Sequence, residues 1–296
     1  MIGEYKNGNA LVSIFEDGTV IKYTADDEFN WEFPNSMDVK ITDSCDMGCR
    51  YCHEGSTPNG KHGNIHLPFF DSLHPYTEIA LGGGNILAHP DIEELLIFLK
   101  SKDVIANITV NQVHYLKEYD KISNWIDRGL VKGIGISLTD YRTIDELVYH
   151  ASAYPHSVIH VINGIFNDRE YDKIKGHGLK LLILGYKDLR RGHTNLLNDS
   201  ESIRNNKKWL TAHLKYMVAD FEAIALDNLA VEQLPVHEIV GDNLWPFFFQ
   251  GNDGRESGTM YIDCVKEEFA LSSTSLERFP LMNSVDDMYK IIKERS

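Results

Sequence analysis

Cysteine is scarce in this sequence, four in 296 residues, and that scarcity excludes a disulfide-stapled fold. Basic residues are also few: 29 Lys and Arg stand against 44 Asp and Glu, a formal net charge of −15. A phosphate-tracking protein needs the opposite balance, so a nucleic-acid binder is disfavoured. No apolar run approaches the roughly 18 residues that span a bilayer, which excludes a membrane helix. The first residues, Met1-Ile2-Gly3-Glu4-Tyr5-Lys6, lack the basic-then-apolar layout of a secretory signal, so a cytoplasmic protein is expected. What remains, 43% hydrophobic and 25% charged residues, suits a globular chain with a real core.

The cysteines that are present are not scattered. Cys45, Cys49 and Cys52 fall in one run, Cys45-Asp46-Met47-Gly48-Cys49-Arg50-Tyr51-Cys52. In a chain without disulfides such a cluster reads as a set of metal ligands. Three thiolates can hold three irons of a cubane iron–sulfur cluster and leave the fourth iron open. An open position on a metal is where chemistry happens.

Around this run the pattern is orderly. Two β-rich stretches, 10–15 and 19–24, flank Asp17-Gly18 and predict an N-terminal hairpin, followed by a polar connector over 26–35. Short Val-, Ile- and Leu-rich stretches at 39–42, 78–81, 105–110, 133–138, 157–162 and 179–184 predict strands buried on both faces. Helical patterns at 91–100, 140–150 and 202–217 alternate with them. In the first, Ile92, Leu95, Leu96 and Leu99 share one face. Strand–helix alternation predicts a parallel sheet with helices outside it, and six units predict an α/β partial (β/α)6 TIM-like barrel, curved and partly open. A further strand at 223–227 extends it. The tail predicts a hairpin, 259–262 with 269–272, and a last helix over 285–293. Three parts are expected: an N-terminal hairpin and connector (1–36), the barrel core (37–227) and a C-terminal extension covering it (228–296).

The cysteine run directly follows the first barrel strand, and sites in parallel α/β folds form at such strand ends. There it resembles the cluster signature of the radical S-adenosylmethionine (radical SAM) superfamily, C-x-x-x-C-x-aromatic-C, with Tyr51 at the aromatic position. The resemblance implies that Cys45, Cys49 and Cys52 bind a [4Fe–4S] cluster. It also implies that S-adenosyl-L-methionine chelates the fourth iron, with Tyr51 near its adenine. Reductive cleavage of that cofactor gives a 5′-deoxyadenosyl radical, which abstracts hydrogen from a substrate left unidentified.

Other strand ends are similar to the family's. Gly82-Gly83-Gly84-Asn85 resembles its Gly-Gly-Glu segment, with Asn85 where a carboxylate is usual. Gly83 and Gly84 permit close backbone approach. Asn111 follows the third strand, and Ser137 stands where the family has a ribose- or carboxylate-binding serine. Asn163 and Gly185 end the fifth and sixth strands. Asp140 fits a helix cap equally well. Beyond the barrel strands, Asp227 and Asn228 either face substrate or cap a helix. Cys264 is either a buried small hydrophobe or a thiol donating hydrogen to a product radical. His53 either hydrogen-bonds near the cluster or plays a structural part. Lys187, Arg190 and Arg191 form the one local basic patch, read as a solvated turn. Trp245, Pro246, Phe247, Phe248 and Phe249 read as core or a docking edge.

With no second cysteine-rich segment, the resemblance implies an external one-electron donor of flavodoxin or ferredoxin type. It also speaks against subfamilies with auxiliary clusters. The rival reading is a closed site, in which Cys264 or His53 completes a structural zinc or an inert iron–sulfur module.

Overall fold

The computed structural model describes residues 1–249 and 251–295. The chain opens with three antiparallel strands, β1 (Gly3–Asn7), β2 (Ala10–Ile14) and β3 (Val20–Tyr23). The expected hairpin is β2–β3, turning at Gly18 in the left-handed region (φ 90°). The alternation of β1 is too polar to announce itself, and it forms because β2 offers it a partner edge. Asn7, fully buried, ties this sheet to the connector: its Nδ2 donates to Phe33 O at 2.7 Å and its Oδ1 accepts from Glu32 N at 2.8 Å.

The main sheet has ten strands in the order β10-β9-β8-β7-β6-β5-β4-β11-β12-β13. They are β4 (Ser36–Thr42), β5 (Glu78–Gly83), β6 (Ile105–Asn111), β7 (Gly133–Ser137), β8 (Ser157–Ile162), β9 (Lys180–Leu184), β10 (Ala223–Leu226), β11 (Thr259–Asp263), β12 (Glu268–Ala270) and β13 (Phe279–Pro280). Strands β4 to β10 run parallel in chain order.

The sheet is open and mostly parallel, in keeping with the α/β expectation, and β10 extends it where a further strand was expected. The C-terminal hairpin β11–β12 also joins the sheet, with β11 pairing parallel to β4, which the sequence did not predict. One expectation is corrected: the strands are not apolar on both faces. Ile79, Leu81, Ile108, Ile134, Ile136, Ile159, Leu181 and Ile183 are buried under the helices, while alternate residues such as Asp38, Lys40, Asn107, Ser137 and His160 turn inward. The period of two was present, obscured by small and β-branched residues.

The helices are α1 (Ile92–Ser101), α2 (Gln112–Lys117), α3 (Tyr119–Asp127), α4 (Ile144–Ser152), α5 (Asp168–Ile174), α6 (Arg191–Asn198), α7 (Ser200–Met217), α8 (Asn228–Gln233), α9 (Val236–Val240), α10 (Trp245–Phe248) and α11 (Val285–Arg295). Helix α1 buries the expected Ile92, Leu95, Leu96 and Leu99. Each such side chain contributes roughly 1.5–3 kcal/mol by leaving water. Among the described residues no helix is long and apolar enough to cross a membrane.

Candidate active site

The loop after β4 carries the cysteines, and its ends are pinned by backbone. Asp43 N donates to Lys61 O (2.8 Å), Cys45 N to Thr57 O (2.9 Å) and Gly63 N to Ile41 O (2.7 Å). The glycine segment after β5 grips the same loop: Gly84 N donates to Thr42 O and Asn85 N to Ser44 O, both at 2.7 Å. A Cβ on Gly83, whose φ is 113°, would lie 2.4 Å from Thr42 O, and one on Gly84 2.2 Å from Ser44 O. Glycine is therefore required there by the loop itself.

Cys45, Cys49 and Cys52 are each half-buried and line one cavity of about 280 Å³ at the carboxyl ends of the parallel strands. Burial raises the Cys45 thiol. Burial, then the thiols of Cys52 and Cys45, pushes Cys49 up to about 11. Such a mutually opposed thiol set is relieved by a metal cation. Among the described residues no three His, Cys, Asp or Glu side chains converge on a point for a single ion. Three thiols facing one cavity are a donor set that both zinc and iron–sulfur clusters take.

A charged frame surrounds the loop. Lys40, 2% exposed, lies 2.6 Å from Asp43, 2.9 Å from Glu54 and 3.2 Å from Asp263, as ion pairs without aligned hydrogen bonds. Burial opposes the Lys40 charge, but Glu54 and its companions reverse that and raise its pKa. Burial likewise opposes ionisation of Glu54, yet His53 and Lys40 hold its carboxyl well below the usual range. His114 Nε2 meets Asp46 Oδ1 at 2.7 Å.

The basic patch is not a solvated turn. Arg191 donates from Nε to Cys49 O (3.0 Å) and from Nη1 to Ser56 O (2.8 Å), while Arg190, at φ 51°, reaches Glu54. Lys187 donates to Ser273 Oγ at 2.9 Å and lies 3.4 Å from His53 Nε2. Carbonyls of a tight loop need donors, and arginine supplies two at once.

Tyr51, Gly83, Gly84, Asn111, Ser137 and Gly185 line the same cavity as the cysteines. Asn111 Nδ2 stands 3.9 Å from Cys49 Sγ, and its Oδ1 accepts from Val113 N (2.9 Å) and Thr139 Oγ1 (3.1 Å). Asn85 and Asn163 are not among the lining residues. Asn85 Oδ1 accepts from Leu87 N at 3.2 Å, capping a short 3-10 turn, Ile86–Ala88. Asn163, 1% exposed, donates to Gln233 Oε1 at 3.2 Å, leaving its own Oδ1 unpartnered. Asp227 takes N–H donors from Gly185 (2.8 Å) and Ala230 (2.7 Å), so it caps α8. Asn228 donates to Asp253 Oδ1 at 2.7 Å, and Asp140 caps the turn Tyr141–Thr143 and pairs with Arg142. Cys264 is 1% exposed, packs against Gly63 at the loop's base, and lies outside the cavity lining.

Sequence reasoning missed His160. Its ring lies over Gly135, where a Cβ would come within 2.1 Å of Cε1, and burial pulls its pKa down to about 4. The signal was a histidine in the apolar strand β8, beside a glycine-bearing strand. Lys40 carried the same signal, a charge between Val39 and Ile41.

No family model and no curated protein sequence matches this chain. Solved structures do match. The crystal structure of Streptococcus suis SuiB bound to S-adenosylmethionine aligns at 13% identity and a TM-score of 0.55, covering 88% of this chain and 66% of SuiB. SuiB bound to the precursor peptide SuiA aligns at 12% identity and 0.53, covering 88% and 65%. At this identity the likeness is one of fold: this chain shares the fold of SuiB. This chain spans just under two thirds of SuiB's length.

Proposed function

We propose that this chain is a radical SAM enzyme that holds a [4Fe–4S] cluster on Cys45, Cys49 and Cys52 and S-adenosyl-L-methionine in the adjoining cavity. The observation that carries this reading is the meeting of three half-buried thiols with the glycine and polar strand ends around one cavity. When bound, the cluster and cofactor supply hydrogen-abstracting radical chemistry fed by an external flavodoxin- or ferredoxin-type donor.

The chain's own residues bind, orient and exclude water. Gly82, beside which a Cβ would meet nothing within 4 Å, leaves backbone open to the cavity. Val110, Leu138, Ile162 and Leu184 give it an apolar wall, and Tyr51 adds an aromatic edge suited to adenine. Asn111 offers an amide toward the Cys49 sulfur, and Ser137 a hydroxyl at a strand end. His160 stays neutral at physiological pH, so it offers a hydrogen bond without repelling a sulfonium cation. On this reading residues 37–227 form the catalytic core and the flanking parts complete it.

Anaerobic reconstitution with iron and sulfide tests the proposal. A brown protein that releases 5′-deoxyadenosine from S-adenosylmethionine on reduction is expected, with Cys45→Ala losing both properties. A colourless zinc protein, or a cluster inert to the cofactor, would overturn it.

A further inference from the structure

A second cavity of about 320 Å³ adjoins the first, and the two share Asp38, Ala80, Lys187, Tyr261 and Ser273 as a common wall. Four carboxylates line it, Asp38, Glu78, Asp227 and Asp253, against one lysine, Lys187. Asp227 is committed to the N–H groups of Gly185 and Ala230. The other three are barely satisfied. Asp38 turns into open cavity space while protein surrounds it, with neither a hydrogen bond nor an ion pair among the described residues. Glu78 accepts one long bond, 3.4 Å from Asn107 Nδ2, and Asp253 accepts from the neutral amide of Asn228. The ammonium of Lys187 points to Ser273 and His53, and among the described residues no carboxylate lies within ion-pairing distance. Burial raises the pKa of all three carboxyls, and the nearest cations, Lys187 for Asp38 and Lys22 for Glu78, do not offset it.

The same interior shows how the chain closes a charge when closure is the aim: Lys40 sits among three carboxylates. In the second cavity Lys187 is the one lining cation, and among the described residues it pairs with none of the carboxylates. Asp38, exposed in the open cavity, and the half-buried Glu78 and Asp253 face the same space, where Asp253 and Asp227 repel Asp38, and a ligand ammonium relieves that repulsion through charge-assisted bonds. Anionic ligands meet like charge. The volume lies at the lower end for small-molecule sites and is too small for a folded partner.

We infer that this cavity, walled by Asp38, Glu78 and Asp253 and opening onto the cofactor cavity beside Lys187, binds a small molecule through a protonated primary amine. As a statement about substrate, this rests on the proposed function, since the shared wall then places the amine-bearing ligand next to the cofactor. As a statement about binding, it stands on the cavity.

Isothermal titration of the full chain near neutral pH tests it, both as purified and after anaerobic reconstitution with S-adenosylmethionine, using 1,4-diaminobutane, 1,4-butanediol and succinate as length-matched probes. Saturable binding of the diamine alone is expected. Asp38→Asn and Asp253→Asn should each weaken it by about tenfold, the loss of one hydrogen bond to a charged group. Butanediol or succinate binding as tightly as the diamine, no diamine binding in either form, or wild-type affinity in both variants would overturn the inference. The two variants lie on separate elements, so misfolding of one leaves the other to decide. Because the first arm needs no cluster, the failures separate. A protein that binds diamine but releases no 5′-deoxyadenosine retains this site and loses the proposed function. One that cleaves the cofactor yet ignores amines does the reverse.

Discussion

The cysteine loop and the second cavity are built within a few residues of one another on β4, yet they treat charge in opposite ways. Around the loop three charged groups are closed by partners: Lys40 has three carboxylates, Asp46 has His114, and Arg191 holds two carbonyls. In the cavity, Asp38, two residues before Lys40, has no hydrogen bond or ion pair among the described residues. A frame that must hold three thiols in place gains from being closed in advance, because positioning is lost when supporting groups are left loose. A surface awaiting a ligand keeps its strongest groups unspent.

The sharpest way to break this contrast is to open the closed side. Lys40→Met strands Asp43, Glu54 and Asp263 together and should destabilise the fold by about 3–5 kcal/mol, read by urea denaturation at neutral pH. A loss below 1 kcal/mol would mean that the frame is slack and the contrast false. Arg191→Ala removes two donors from loop carbonyls and should cost about 1–3 kcal/mol. It should also lower the iron retained after reconstitution, whereas Arg204→Ala, on the outer helix α7, should change neither.

Two further tests use pH. His160 is held near 4 against an ordinary 6.5, so the unfolded chain takes up the proton first as pH falls. The stability it contributes is whole above about pH 6.5 and is lost progressively toward pH 4. His160→Gln should flatten the denaturation midpoint across that window; an unchanged slope would place the imidazole in water. Asp38 has the opposite sign. Its folded pKa lies above its ordinary 3.8, so the native state binds the proton more tightly. Its penalty is absent at low pH, grows as pH rises through the raised value and is full above it. Asp38→Asn should therefore raise Tm slightly at neutral pH and leave it unchanged in acid. A lower Tm at neutral pH would show that a cation already satisfies this carboxyl.

What was legible in the sequence follows from range. Cys45, Cys49 and Cys52 lie within eight residues, so their spacing is itself a geometric statement. The strands β5 to β9 were found because each is a short apolar run between turns, and α1 because its buried face repeats at helical spacing. What escaped depends on partners distant in sequence. Lys40 is explained only by Glu54 and Asp263, and Arg191 only by the carbonyls of Cys49 and Ser56. Asn85 and Asn163 were read from position in a pattern, but a side chain's direction is set by the donor it finds. Leu87 N claims one and Gln233 the other. The edge at β4 escaped for the same reason: nothing local in residues 259–263 announces a parallel partner near residue 36.

That pairing bears on how the protein is made. Strand β4, which leads into the cysteine loop, has β5 on one side and β11 on the other, and β11 lies more than two hundred residues later in the chain. During synthesis the first neighbour emerges early, while the second, which brings Asp263 to Lys40, emerges more than two hundred residues later. Until then the loop's root is flanked on one side only and Lys40 lacks one of its three anions. Contacts so far apart in sequence form late and slowly. A ribosome stalled before residue 259 would therefore present the three thiols on an unfinished footing, and any metal they are to receive is best delivered once β11 has emerged and paired.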